Sequence, residues 1–267
     1  MIHELLMCKP DFYDIEYVIN DWMDPKNKVD KVVAQNQWNY VYDQLVTRGI
    51  KVKVIEPVKG LPDMTFAGDC GMIHNNKFLA SNFRHPERQG ETPYYIDFLK
   101  KEGFEVHRVE PGIHFEGLGD VIYWDDSIIF GFGPRSDKDA VKAIRETYPE
   151  LKVLGELHIQ DNTFFHVALA FSFISEDTII YYPEAFTKES QDYIEKNFSR
   201  RIAVSEFDAK ELFVCNNIPI GNDVLMHDCS PEVEQKINDF GFNVVKCNMS
   251  EYFKSGGSLR CLVLKLN

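Results

Sequence analysis

The sequence predicts an α/β fold in which five repeated units close into a ring, and three observations predict it. Amphipathic helical segments recur at residues 37–47, 93–101, 137–147, 188–197 and 231–240, spaced by roughly 45 to 55 residues. Each leads into a short apolar strand, at 52–55, 104–109, 151–154, 202–204 and 242–245, and hairpins with polar turns follow at 71–80, 121–130, 171–181 and 218–225. The fifth unit has a single terminal strand, 260–266, whose missing partner is expected at residues 2–8. Joining first strand to last would close residues 1–267 into one pseudo-fivefold α/β domain.

The bulk numbers agree with a soluble globular chain: 267 residues, 44% hydrophobic and 27% charged. A net charge of -13 argues against a nucleic-acid partner, which needs Lys and Arg to neutralise phosphates, and suits a cationic small molecule. The opening MIHELLMCKPDFYDIEYVIN lacks the basic and apolar regions of a secretory leader. No apolar run of about 18 residues suggests a membrane span. Six cysteines, at 8, 70, 215, 229, 247 and 261, are scattered without a CxxC pair. A reducing, cytoplasmic setting is therefore expected, with no disulfide framework.

Where each unit's loop enters its hairpin stands Asp69, Asp120, His166, Asn217 or Cys261, separated by 51, 46, 51 and 44 residues. In a closed ring such equivalent positions converge on the axis. The set then holds a thiol, an imidazole to shuttle a proton, and carboxylates to orient the imidazole or hold a cation. Taken singly these residues have ordinary readings: Cys261 as a core residue of a C-terminal strand, His166 as a satisfied strand histidine, Glu116 and Asp120 as turn caps. Their shared place in the repeat favours the catalytic one.

Four motifs carry a resemblance: Leu61-Pro-Asp-Met-Thr-Phe-Ala-Gly-Asp69, Phe115-Glu-Gly-Leu-Gly-Asp120, His166, and Gly256-Gly-Ser-Leu-Arg-Cys261. Over almost its whole length the chain resembles the guanidine-modifying superfamily of the α/β-propeller, or pentein, fold. That superfamily contains arginine deiminases, dimethylarginine dimethylaminohydrolases and amidinotransferases. The resemblance implies that Cys261 attacks a guanidinium carbon, giving a covalent thiouronium intermediate that water converts to a ureido product such as citrulline. His166 would protonate the departing amine and then activate water, with Glu116 orienting it. Asp69 would clamp the guanidinium, helped by Asp120, while Asp63 would meet the substrate α-amino group and Arg88 and Arg135 its α-carboxylate. Arg84 reads equally well as a surface ion pair.

Two departures from the family pattern limit the substrate reading. Deiminases typically carry Asp two residues after the histidine, where this chain has Ala168; dimethylarginine hydrolases typically carry an acidic residue before the Asp69 position, where it has Gly68. Asp161 or Asp120 could replace the missing carboxylate. Asp at position 69, where some arginine dihydrolases place Asn, points toward a single hydrolysis.

The expected partner is a small guanidino or ureido amino acid, and a homodimer is compatible with the sequence. No cofactor is expected, because Gly131-Phe-Gly-Pro lacks the rest of a nucleotide loop and His158, Asp161, His166 and Cys261 lack metal-ligand spacing. An amidinotransferase, a ureido or arginine dihydrolase of the same fold and a non-catalytic binding relative are the competing readings, with a metal enzyme built on His158, Asp161, His166 and Cys261 as a further one.

Overall fold

The computed structural model describes residues 3–266, and its fifteen strands form five sheets of three. The chain opens with β1 (Glu4–Cys8), a long irregular segment, α1 (Lys31–Thr47) and β2 (Lys51–Ile55). A unit then runs β3 (Gly71–His74), β4 (Lys77–Ala80), α2 (Pro86–Gln89), α3 (Thr92–Lys101), β5 (Glu105–Arg108). The next has β6 (Val121–Trp124), β7 (Ser127–Phe132), α4 (Ala140–Thr147) and β8 (Lys152–His158). It is followed by β9 (Phe171–Phe173), β10 (Thr178–Tyr181), α5 (Lys188–Asn197) and β11 (Arg200–Ala203). After α6 (Glu206–Lys210) come β12 (Ile218–Ile220), β13 (Asp223–Met226), α7 (Pro231–Asp239) and β14 (Asn243–Lys246). The short α8 (Ser250–Phe253) and β15 (Leu264–Lys265) end the described chain.

Every sheet has one plan: an antiparallel hairpin, then a strand parallel to the hairpin's second strand, reached through a helix. The fifth sheet obeys the plan with strands from both ends of the chain. β15 pairs antiparallel with β1, Leu264 opposite Leu6, and β1 pairs parallel with β2. The expected partner strand is thus in place from Glu4 onward, while Ile2 lies outside the described residues.

Local chemistry accounts for the elements. Asn75 and Asn76 both take positive φ, 46° and 64°, as a two-residue hairpin turn requires. Asp30 caps α1 by accepting from the Val32 and Val33 N–H groups, so that helix starts six residues before the apolar pattern suggests. The helices pack on the sheets, α3 against β4 and β5, α4 against β4, α5 against β8, and α7 against β11 as well as β14. Tyr95, Leu99, Val141 and Ile144 thereby share one buried cluster with β3, β4, β6 and β7.

Two expectations about local structure change. Cys261 lies not in a strand but in a 3₁₀ turn, Leu259–Leu262, which shortens the terminal strand to Leu264–Lys265. Equivalent turns, Ala67–Cys70, Gly117–Gly119 and Val167–Leu169, precede three of the hairpins, and His166 is the extended residue just before the last of them. Such turns end the strand pairing and leave the side chains at the junction free to point away from the sheets.

The β1–β15 contact is expected to be a main stabilising element. Leu264→Ala, at a fully buried position, should cost about 2–5 kcal/mol in urea unfolding. A loss below about 1 kcal/mol would mean that the union of the two chain ends contributes little.

Candidate active site

The 3₁₀ turns bring His166, Glu116, Asp69 and Cys261 into one buried cluster. The Glu116 carboxylate, with no exposed surface, is its centre. Its Oε2 accepts from Arg135 Nη1 at 3.0 Å and faces His166 Nε2 at 2.8 Å, while Oε1 accepts the Arg84 N–H at 3.0 Å. Burial works against this charge, yet the Arg135 guanidinium and the imidazole hold Glu116 well below the usual carboxylate range.

With Nε2 fixed, His166 Nδ1 has no partner among the described residues and sits 3.8 Å from Asp69 Oδ1, which has none either. Burial disfavours the imidazolium, but Asp69, Asp120 and Glu116 together raise His166 above the ordinary histidine value. The ring needs room to lie there, and Gly119 supplies it: a Cβ on that residue would stand 2.6 Å from His166 Nδ1.

Cys261 lines a narrow cavity with Asp63, Asp69, Arg88, Arg135 and Phe165. Burial, then the nearby Asp69 charge, pushes its thiol up to about 12, against hydrogen bonds from the Ser258 backbone and from Asn216. Asn216 Nδ2 reaches Sγ at 3.4 Å, and its Oδ1 accepts the Arg260 N–H at 3.0 Å. The cavity thus sets an imidazole that favours its protonated form beside a thiol that favours its neutral one.

The remaining expected residues divide. Asp63 lines the cavity; Tyr17 donates to its Oδ2 at 2.9 Å and its Oδ1 is unpartnered among the described residues. Arg88 also lines it, but its fork is closed on Glu91 through Nε and Nη2 at 2.9 and 3.0 Å, and Nη1 holds Asp69 Oδ2 at 2.7 Å. Arg135 is bonded to Glu116 and to the Ile19 carbonyl and lies 4.5 Å over the Phe165 ring. Neither arginine presents an open fork, because each has a protein carboxylate in hand.

Asp120 is a correction: it does not line the cavity but turns to the Val167 N–H, 3.0 Å away, and so braces the peptide that follows His166. Asn217 is another, since its side chain bonds Ser172 and the Val214 carbonyl while the preceding Asn216 meets the thiol. Asp161, facing Thr163 and Lys210, is no substitute carboxylate. His158 stacks on Phe132, so the four residues of the metal reading are not gathered. Arg84 takes its structural reading, paired with Asp137. Gly68 is explained by space: a Cβ there would lie 2.9–3.2 Å from the backbone carbonyls of Arg260, Cys261 and Val263, under the turn that carries Cys261.

Sequence reasoning missed Asn216, Glu91 and Tyr17. The Asn216-Asn217 doublet and the Arg88…Glu91 spacing of three on a helical turn were signals for the first two. Tyr17 belongs to the irregular segment after β1, whose Ile19, Asn20 and Met23 cover the cavity. Tyr13 pins that segment to Ser255 and the Glu251 carbonyl.

Comparisons with known proteins give the family of the chain. A family model for eukaryotic N,N dimethylarginine dimethylhydrolase matches residues 14–267. The bifunctional arginine dihydrolase/ornithine cyclodeaminase AgrE of Nostoc sp. is 33% identical over 98% of this chain, which spans only 37% of that protein's length. The N(G),N(G)-dimethylarginine dimethylaminohydrolase of Mycobacterium tuberculosis is 32% identical over 98% of this chain and 85% of its own. The N-terminal domain of the cyanobacterial arginine dihydrolase ArgZ, solved with product bound, superposes with a TM-score of 0.93 at 32% identity, covering 100% of this chain and 98% of that one. A dimethylarginine dimethylaminohydrolase adduct structure, at 19% identity and a TM-score of 0.79, shares the fold. With the family model matching nearly the whole chain and relatives above 30% identity, the chain belongs to the N,N-dimethylarginine dimethylhydrolase family of guanidine-modifying hydrolases.

Proposed function

We propose that the chain hydrolyses the guanidinium group of arginine or an Nω-methylated arginine, with Cys261 as nucleophile, His166 as acid and base, and Glu116 as its positioning carboxylate. One observation carries the reading. The unpartnered Asp69 Oδ1 and Asp63 Oδ1 are buried in the cavity that holds the thiol, acceptors suited to a ligand rich in N–H donors, and the unpartnered His166 Nδ1 lies beside Asp69 with a proton to give. A guanidinium against Asp69 would satisfy them and supply the cation the thiol lacks, favouring thiolate as the substrate docks.

The thiol releases its proton to solvent as the cation docks, the thiolate attacks the guanidinium carbon, and the C–N bond to the departing amine breaks as His166 gives it a proton from Nδ1. The neutral imidazole next takes a proton from water; the hydroxide adds to the thiouronium carbon, the C–S bond breaks, and a ureido product leaves. Release after one hydrolysis follows from Asp69: an anionic acceptor holds a cationic guanidinium well and offers no hydrogen to polarise a neutral ureido carbonyl. The relatives named for arginine dihydrolase activity make a second hydrolysis the competing reading.

Two features of the fold belong to the same proposal. The five sheets of the described residues form one closed α/β propeller, a single-domain reading supported by the β1–β15 pairing. No helix among the described residues is long and apolar enough to cross a membrane, and six free buried cysteines suit a cytoplasmic setting.

Mass spectrometry of reactions with arginine, Nω-methylarginines and citrulline should find citrulline with ammonia or an alkylamine from wild type and none from Cys261→Ser. Ornithine as the end product would replace single hydrolysis by the dihydrolase reading, and turnover by Cys261→Ser would remove the thiol mechanism. Asp69→Asn separates charge from binding. Losing that carboxylate should lower the thiol's pKa and speed iodoacetamide alkylation at pH 8 by roughly 2- to 10-fold, while arginine turnover falls by about 10²-fold. Unchanged or slower alkylation would contradict the assigned electrostatics.

A further inference from the structure

The turn that carries Cys261 into the catalytic cavity carries its neighbour Arg260 into a second one. This cavity, of about 550 Å³, shares no lining residue with the first. It lies between the two chain ends, the Gly49 turn and the hairpins of β6 and β12, and its walls include Leu118, Trp124, Phe173 and Ile218. In a chain of net charge -13 it gathers Arg48, Arg260 and Lys265 against Asp125.

Arg48 is paired with Asp223. Among the described residues no carboxylate lies within ion-pair range of Arg260 or Lys265; Lys265 Nζ rests 4.8 Å over the Tyr123 ring. Arg260 Nε is buried without a hydrogen-bond partner, and so is Oδ1 of Asn217, which has no exposed surface. Burial pulls both cations down, Arg260 to about 10, and for Lys265 it outweighs the charges of Asp125 and Asp126. Cations of this kind beside aromatic and branched walls make a receptor for one kind of molecule.

We infer that the second cavity binds a small organic carboxylate with an aromatic or branched apolar body, the carboxylate on Arg260 and Lys265 and the body against Trp124 and Phe173, and that its occupation lowers the reactivity of Cys261. The Arg260 guanidinium offers a fork for the carboxylate, and the apolar walls distinguish the ligand from inorganic phosphate. Coupling to the thiol is short. The Arg260 N–H donates to Asn216, which donates to Cys261 Sγ, and Asn217 is the next residue in the chain. An anion held by Arg260 also places a negative charge near the thiol, which disfavours thiolate. The inference stands apart from the substrate reading, since binding is measured without turnover.

Phenylacetate, its neutral analogue phenylacetamide and inorganic phosphate are titrated by calorimetry into wild type, Arg260→Met and Lys265→Met, each first shown to be folded by circular dichroism. Cys261→Ser saturated with arginine serves as the arm in which the catalytic cavity is filled. Phenylacetate should bind wild type and the arginine-filled Cys261→Ser alike, weaken about tenfold or more in either cation variant, and outcompete phosphate and the amide. No binding below about 10 mM, equal binding to the variants, or displacement by arginine would overturn the site. Iodoacetamide alkylation of Cys261 should slow about twofold or more when phenylacetate is bound, and only in wild type. An unchanged rate with the site occupied would overturn the coupling.

Discussion

The buried Glu116 carboxylate is the interaction on which the site depends. It has no exposed surface, so its charge persists because Arg135, His166 and the Arg84 N–H all point at it. Each contact fixes something else. Arg135 ties the carboxylate to Ile19 in the covering segment, the His166 bond turns Nδ1 toward Asp69, and the Arg84 N–H anchors the chain that continues to Arg88 and hence to Asp69. A neutral Gln at this position would leave a buried guanidinium and imidazole short of their counterion, a loss of about 3–5 kcal/mol for a broken buried pair. Glu116 is held below the usual carboxylate range, so its share of stability is full at neutral pH and is lost as pH falls from the ordinary carboxylate value toward its depressed one. His166 has the opposite sign: its contribution is full below the ordinary histidine value and is lost as pH rises through its raised one.

Charge and burial here favour the protonated form of His166 and the neutral thiol of Cys261. Under the proposed mechanism that thiol is latent until a cation arrives, which protects a cysteine that would otherwise react with any electrophile small enough to enter. The covering segment adds a steric barrier, with Tyr13 and Tyr17 pinned by hydrogen bonds to Ser255 and Asp63.

Much of this was legible in the sequence because a repeat repeats its chemistry. The helices, the hairpins and the pairing of the first strand with the last followed from periodicity and turn residues, and positions 69, 166 and 261 followed from their common place in the unit. The errors share a physical origin. Periodicity places a residue to within about one position, and at the junctions one position reverses the direction of a side chain. Asn217 was named where Asn216 meets the thiol, and Cys261 was put in a strand where a 3₁₀ turn presents it. Asp120 occupies an equivalent position yet serves the Val167 N–H, because its own turn spends that carboxylate on the backbone. Tyr17 left no signal at all, since it lies in an irregular segment whose course is set by tertiary contacts alone.

The central claim is that Glu116 holds His166 as an imidazolium with Nδ1 directed at the reacting atoms. A ¹⁵N NMR titration of the histidine rings in wild type and Glu116→Gln tests it directly. The expected wild-type result is a His166 that remains doubly protonated above the ordinary histidine value near pH 6.5 and, in the variant, loses its proton at a lower pH. A His166 that is already neutral at pH 6 in wild type, or titrates identically in both proteins, would contradict the account.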